Sequence, residues 1–207
     1  RTPLRWNINV RVCLLNPQHN PEGWSFEDYL HDPEVTIGAQ AHFQALAPRF
    51  YGQCSDLRTE LPEHWRCRAD VQNCYDAAFF GGKIYAPPGQ VPAVEPFLTL
   101  DDVDDFLATD FCADIANNPF IKERLAFTEE LKRVAKDFRF EGRSTKVNDY
   151  VIFWSDGPLT AGLAIFGADF FTLLGLDPAK GEQVIAKITR DTLQRNRWLL
   201  RRAGLPE

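Results

Sequence analysis

The chain has no methionine and no apolar run of the roughly 18 residues that cross a bilayer as one helix. The nearest approach, Leu159–Leu176, is interrupted by Gly162, Gly167, Asp169 and Gly175. A membrane is therefore not an expected partner. There is no glycine-rich phosphate loop and no nucleophile elbow, so two common catalytic devices are missing. Basic residues are outnumbered, 23 Lys and Arg against 29 Asp and Glu, for a net charge of −6. Phosphate neutralisation needs clustered cations, so nucleic acid is not the expected main partner. Five cysteines are an odd set in a chain with a sizeable core. A disulfide framework is not expected, and a reducing, cytoplasmic setting is the simpler expectation. No secretory signal is visible at Arg1, no internal repeat is visible, and no segment is of low complexity. The missing initiator methionine, and an end at Leu205-Pro206-Glu207 directly after a helical pattern, suggest a fragment, a processed product or one piece of a larger assembly.

What is present is ordinary for a globular domain: 207 residues, 44% hydrophobic and 25% charged. Leu4–Leu15 is rich in β-formers and partly alternates, which reads as a strand. Ser25 with Asp28 has the spacing of a capping box for a short helix, Phe26–Leu30. Asp32-Pro33 opens a second helix to about Leu46, with Ile37, Ala41 and Ala45 or Leu46 inward and Gly38 allowing close packing. Tyr51–Cys74 shows no clear periodicity. Asp76–Phe80 reads as a helix ended by Gly81-Gly82, Lys83–Ala86 as a short strand, and Pro87–Pro92 as a rigid turn. Thr99 and Asp102 form a second capping-box pattern before Leu100–Leu107, and Asp101, Asp102, Asp104 and Asp105 read as a solvated helix start. Pro119–Phe138 is a long helix with Leu125, Thr128, Leu131 and Ala135 at helical spacing. Tyr150–Trp154 is a strand. Asp177–Ala203 is the last helix, with Val184, Ile185, Ile188, Leu193 and Leu199 as core contacts and Gly204 as its cap. Strands alternating with helices suggest parallel pairing through helical crossovers.

Several residues carry possible chemistry. Asp156-Gly157-Pro158-Leu159-Thr160 follows the Tyr150–Trp154 strand, where a glycine lets backbone approach a ligand. The same residues also suit a turn in which Asp156 satisfies backbone amides. Arg5, Asn7, Asn9 and Arg11 alternate on one face of the first strand. Polar groups on a buried strand face need solvent or a polar ligand, so this face lines a site or lies at the surface. Cys54, His64, Cys67 and Cys74 contain zinc-ligand residue types at an uncommon spacing, and scattered buried thiols are the expectation. His19, His31 and His42 read as surface or capping residues, and Trp154 and Trp198 as core.

Three segments together resemble the uroporphyrinogen decarboxylase superfamily, which includes corrinoid-linked methyltransferases. They are Ser25–Glu34; Phe80–Tyr85 with Val91–Phe97 and Leu100–Asp104; and Asp156–Leu163 followed by Leu176-Asp177-Pro178 and a helix. The resemblance implies a (β/α)8 TIM barrel with an N-terminal helical lead-in. A full barrel takes about 250 residues. Residues 1–207 are thus expected to be a single domain covering roughly the first half, completed by the remainder of the barrel or by an oligomer. Within the resemblance, Asn7, Asn9, Arg11, Asp70, Asp156, Gly157 and Thr160 are the expected substrate-binding residues. The decarboxylases carry Arg-Gln-Ala-Gly-Arg after their first strand, where this chain has Arg5–Arg11 with a different spacing. Ala164 stands where they place a tyrosine, and Asp70 lies near, but out of register with, their aspartate. These departures turn the expectation toward a methyltransferase moving a methyl group between a corrinoid and a small acceptor. A corrinoid protein is then an expected partner, and zinc is expected on ligands outside this chain. A tetrapyrrole decarboxylase without cofactor, and a non-catalytic half-barrel binding subunit, remain the alternatives.

Overall fold

The computed structural model describes residues 10–51, 60–148 and 156–206. In chain order its elements begin with α1 (Arg11–Leu15), α2 (Phe26–His31), α3 (Pro33–Tyr51), β1 (Trp65–Cys67) and α4 (Tyr75–Phe79). β2 (Ile84–Tyr85), β3 (Ala93–Val94), α5 (Val103–Ala108), α6 (Pro119–Ala135), β4 (Arg139–Phe140) and β5 (Arg143–Val147) follow. α7 (Pro158–Phe166), α8 (Ala168–Leu176) and α9 (Pro178–Arg202) complete the chain. Local capping chemistry starts several of these helices. Asp28 and Ser25 exchange hydrogen bonds at 3.0 Å each, the reciprocal box that opens α2. Asp32 accepts from the Glu34 amide at 2.8 Å and Asp177 from the Lys180 amide at 3.0 Å, each just before a proline. Gly204, at φ +67°, follows the end of α9.

The chain divides into two compact units. The first comprises the described residues of Arg1–Asp70, Ala86–Val91 and Ala126–Asp149. Its sheet has the order β1-β5-β4, with β1 parallel to β5 and β4 antiparallel to β5. Trp65 lies opposite Thr145, and the β4–β5 hairpin turns through Glu141 and Gly142, both at positive φ. Ile37 of α3 packs with Cys67, Ala69, Leu131 and Ala135, while Ala41 and Ala45 pack against Trp65. The inward row expected for this helix is therefore present, and Gly38 lies so close to Trp24 that an added Cβ would sit 2.8 Å from its ring. The expected strand over Leu4–Leu15 is corrected where it is described. Arg11–Leu15 is helix α1, with Cys13 and Leu14 buried. A short apolar run carries no period that separates the two states.

The expected half of a (β/α)8 barrel is overturned. Helix accounts for 59% and strand for 8%, in sheets of three and two strands, with no barrel among the described residues. The reason lies at the edges of the larger sheet. β1 turns one edge to β5. The backbone groups on its other edge go to side chains of α3. The Gln44 amide donates to Arg66 O at 2.7 Å and accepts from Arg66 N–H at 3.0 Å. Gln40 does the same for Arg68, at 2.8 and 3.1 Å. One helical turn and two strand residues both advance about 6 Å, so glutamines at i and i+4 match alternate residues of the strand. A barrel strand needs a backbone neighbour on both edges. Here one edge is closed by amides, and β5 meets its second neighbour antiparallel.

The second unit comprises Val71–Tyr85, Pro92–Leu125 and the described residues of Tyr150–Glu207. β2, within the short strand expected over Lys83–Ala86, forms an antiparallel pair with β3, a strand the sequence did not mark. Phe80, Phe106, Phe111 and Phe166 form a cluster of edge-to-face and tilted rings with centroids 5.0–5.6 Å apart. α7 and α8 meet at Gly167, bent by 111°. Together they have the length and composition of a membrane span, but no single described helix is long and apolar enough to cross a membrane. Leu193, an expected core contact of α9, is 50% exposed, and Trp198 is only half-buried. The buried side of α9 instead carries Lys187, Asp191, Thr192 and Arg195 between Val184 and Leu199. The expected strand Tyr150–Trp154 lies outside the described residues.

Two glycines of this unit separate packing from propensity. An alanine Cβ at Gly162 would lie 2.5 Å from the ring of Phe170, itself fully buried. Gly162→Ala is expected to lose about 1–3 kcal/mol by overpacking, outweighing its better helix propensity. Gly175 has nothing within 4 Å, so Gly175→Ala is expected to gain up to about 1 kcal/mol. Denaturant unfolding of both variants checks the opposite signs.

Candidate functional site

The turn Asp156–Thr160 forms because Gly157 adopts φ +88°, a region closed to most side chains, and Pro158 fixes the first residue of α7. No side chain caps this helix start. Asp156, Leu159 and Thr160 are exposed, and Gly157 and Pro158 are half-buried. Three of the expected site residues, Asp156, Gly157 and Thr160, thus share one turn at the surface of the second unit.

Beneath that turn lies a buried pair of charges. Arg195 of α9 is fully buried and Asp76 of α4 is 4% exposed. Arg195 Nη2 lies 2.9 Å from Asp76 Oδ1. The guanidinium also donates to Tyr75 O at 3.4 Å and to Asn196 Oδ1 at 3.0 and 3.2 Å, and it stacks 5.2 Å from the Phe79 ring centroid. Burial holds the Arg195 guanidinium below the ordinary arginine value, and the Asp76 carboxylate opposes that shift. Asp76 Oδ2 accepts from the Asp156 amide at 3.2 Å. A continuous path therefore runs from a buried cation, through a carboxylate, to the backbone of the exposed turn.

A second buried pair lies one turn earlier on α9. Lys187 Nζ meets Asp191 Oδ2 at 3.0 Å and Thr109 O at 2.5 Å, and stands 5.2 Å from the Phe111 ring centroid. Asp191 Oδ1 also accepts from Nε of the exposed Arg190 at 2.9 Å, and the pair ties α9 to the end of α5. Neither pair was expected from the sequence. The available signal was the α9 row at positions 184, 188, 191, 195 and 199, where charges replace apolar residues on the helix's inner face.

The other expected residues are placed differently. Asn7 and Asn9 lie outside the described residues. Arg11 begins α1 rather than continuing a strand. Asp70 belongs to the first unit. It is nearly buried and accepts from the Tyr29 hydroxyl at 3.0 Å, which in turn accepts from Gln40 at 2.9 Å. Of the residues considered for zinc, Cys54 lies outside the described residues, and His64 Nδ1 is bonded to Ser144 Oγ at 2.7 Å. Cys67 belongs to the first unit and Cys74 to the second, and both are buried. Among the described residues no three His, Cys, Asp or Glu side chains stand together to hold a metal. The thiols are also poor thiolates. Burial pushes Cys13 and Cys112 up to about 11, and raises Cys67 further. The described donor set therefore does not fit zinc.

Comparison with known protein families, with curated proteins and with solved structures finds no match.

Proposed function

We propose that the chain binds a small thiol acceptor at the Asp156–Thr160 turn and takes part in methyl transfer to it from a corrinoid substrate. The reading rests on the resemblance of this stretch to the corrinoid-linked methyltransferases. One observation carries it to these residues: the turn's leading amide is held by a carboxylate that a buried arginine fixes in place. Asp156, Leu159 and Thr160 are exposed, where an acceptor can reach them. In the reaction the acceptor sulfur forms a bond to the methyl carbon and loses its proton to solvent. The carbon–cobalt bond of the donor breaks, and cobalt keeps the electron pair. The chain's residues bind and orient the acceptor.

The test is direct. The full chain is incubated with methylcobalamin and 2-mercaptoethanol, and the methyl thioether is measured by mass spectrometry. Formation at least about tenfold above the protein-free rate, a barrier lowered by about 1.4 kcal/mol, supports the reading. A rate equal to the protein-free control sinks it. Turnover of uroporphyrinogen with release of carbon dioxide would replace it with decarboxylation.

A further inference from the structure

We propose that Arg195 and Asp76 are positioning residues whose task is to set the Asp156–Thr160 turn, and with it the acceptor site at the head of α7. The inference rests on the reading of that turn as the acceptor site. Its starting point is that the pair is hard to explain by stability. A buried ion pair loses on desolvation much of what it gains by attraction, and apolar residues of similar volume usually do as well or better. Such residues cannot accept a hydrogen bond. Asp76 has two oxygens with separate partners: Oδ1 faces Arg195 at 2.9 Å and Oδ2 takes the Asp156 amide at 3.2 Å. The guanidinium is itself over-determined by Tyr75 O, Asn196 Oδ1 and the Phe79 ring. The carboxylate is thus held from below by a group that has little freedom, and it passes that order to one backbone amide.

That amide comes immediately before the residue whose φ is +88°. At Gly157 the backbone can take many directions, because glycine is permissive. Anchoring the preceding amide removes that freedom and fixes where α7 starts. The Lys187–Asp191 pair supplies a contrast within the same helix. Its bonds reach the end of α5 at Thr109 O and, through Asp191 Oδ1, the exposed Arg190 of the same helix, and none of them anchors an amide of the Asp156–Thr160 turn.

Asp76→Asn separates positioning from packing, because it keeps the shape of the side chain. Arg195 claims the single remaining oxygen, so the amide NH2 is turned toward the Asp156 N–H and cannot accept from it. Hydrogen exchange of the full chain, read residue by residue by NMR, is the measurement. Exchange at Asp156 and Gly157 is expected to rise roughly tenfold or more relative to the core amide of Ile188 on α9, as a hydrogen bond to a charged group is lost. If Asp76→Asn fails to fold, the double variant Asp76→Leu with Arg195→Met removes both charges and makes the same demand on the Asp156 amide. In the methylcobalamin assay, KM for 2-mercaptoethanol should rise severalfold with kcat nearly unchanged. A purely structural pair would instead lower the amount of active protein and leave KM alone. Unchanged exchange at Asp156 relative to Ile188 overturns the proposal, as does a fall in kcat at constant KM. If the natural sequence shows no methyl transfer, the acceptor reading falls, and the exchange result alone decides whether the pair positions the turn.

Discussion

Replacing Asp76 with alanine is expected to destabilise the second unit by about 3–5 kcal/mol, because it strands a buried arginine. Arg195 has no exposed surface, and its other described contacts, to Tyr75 O, Asn196 Oδ1 and the Phe79 ring, are to neutral groups. A guanidinium stays protonated at any ordinary pH, so it cannot escape by losing its charge. The lost carboxylate also removes the acceptor of the Asp156 amide. For a chain of this size each kcal/mol moves the midpoint by about 2–4 °C, so a drop on the order of 10 °C is expected. The double variant Asp76→Leu with Arg195→Met should recover most of that loss, since it removes the uncompensated charge as well as its partner. A thermal scan of both variants checks the pair of outcomes. An Asp76→Ala midpoint within 2–3 °C of the parent, a loss near 1 kcal/mol, would show that water or other groups replace the carboxylate.

Trp65→Ala is expected to cost the first unit a similar amount, about 3–5 kcal/mol, by a different mechanism. Trp65 is fully buried on β1 and packs on Ala41 and Ala45 of α3. Its indole donates to Phe140 O at 2.8 Å, its ring meets Phe140 edge-on at 5.6 Å, and Arg143 stands 5.6 Å from its centroid. The small alanines across from it cannot collapse into the space it would leave. Trp65→Phe separates the two contributions: it keeps most of the apolar volume but leaves the Phe140 carbonyl without its donor. Its loss should be about 1–3 kcal/mol. Denaturant midpoints of the two variants should therefore fall in that order. Equal losses would mean that the hydrogen bond, not the volume, dominates at this position.

The helix starts were legible because their chemistry is local. Ser25 with Asp28, Thr99 with Asp102, and Asp177 with Pro178 each act within three residues, and all three appear where their spacing places them. The inner face of α3 was legible for the same reason, since Ile37, Ala41 and Ala45 repeat at helical spacing. The acidic stretch Asp101–Asp105 is largely exposed, with Asp104 pairing Lys180 at 2.7 Å. The strands of the larger sheet were not legible. β1 is only three residues long, and β5 reads Arg-Ser-Thr-Lys-Val, with little apolar alternation to mark a buried face. The barrel expectation joined true local elements to the wrong global pattern. Nothing in the chain's linear order reveals that Gln40 and Gln44 occupy the strand edge that a barrel would need.

Sequence alone thus established the elements whose free energy is settled within a turn or two: caps, the inner row of α3, the glycine-proline turn at 157–158 and the helix after Asp177. Sheet order, the closing of β1 by glutamine amides and the pairing of Arg195 with Asp76 became visible only in the folded chain. The glutamine amides reach strand residues 22 or more positions away, and Asp76 and Arg195 stand far apart in the chain, on α4 and α9. Side-chain type says that a buried arginine must find a carboxylate, but not which of the chain's acidic residues supplies it. Packing makes that choice, because only the geometry of α4 against α9 brings Asp76 within reach of Arg195 while leaving its second oxygen for Asp156.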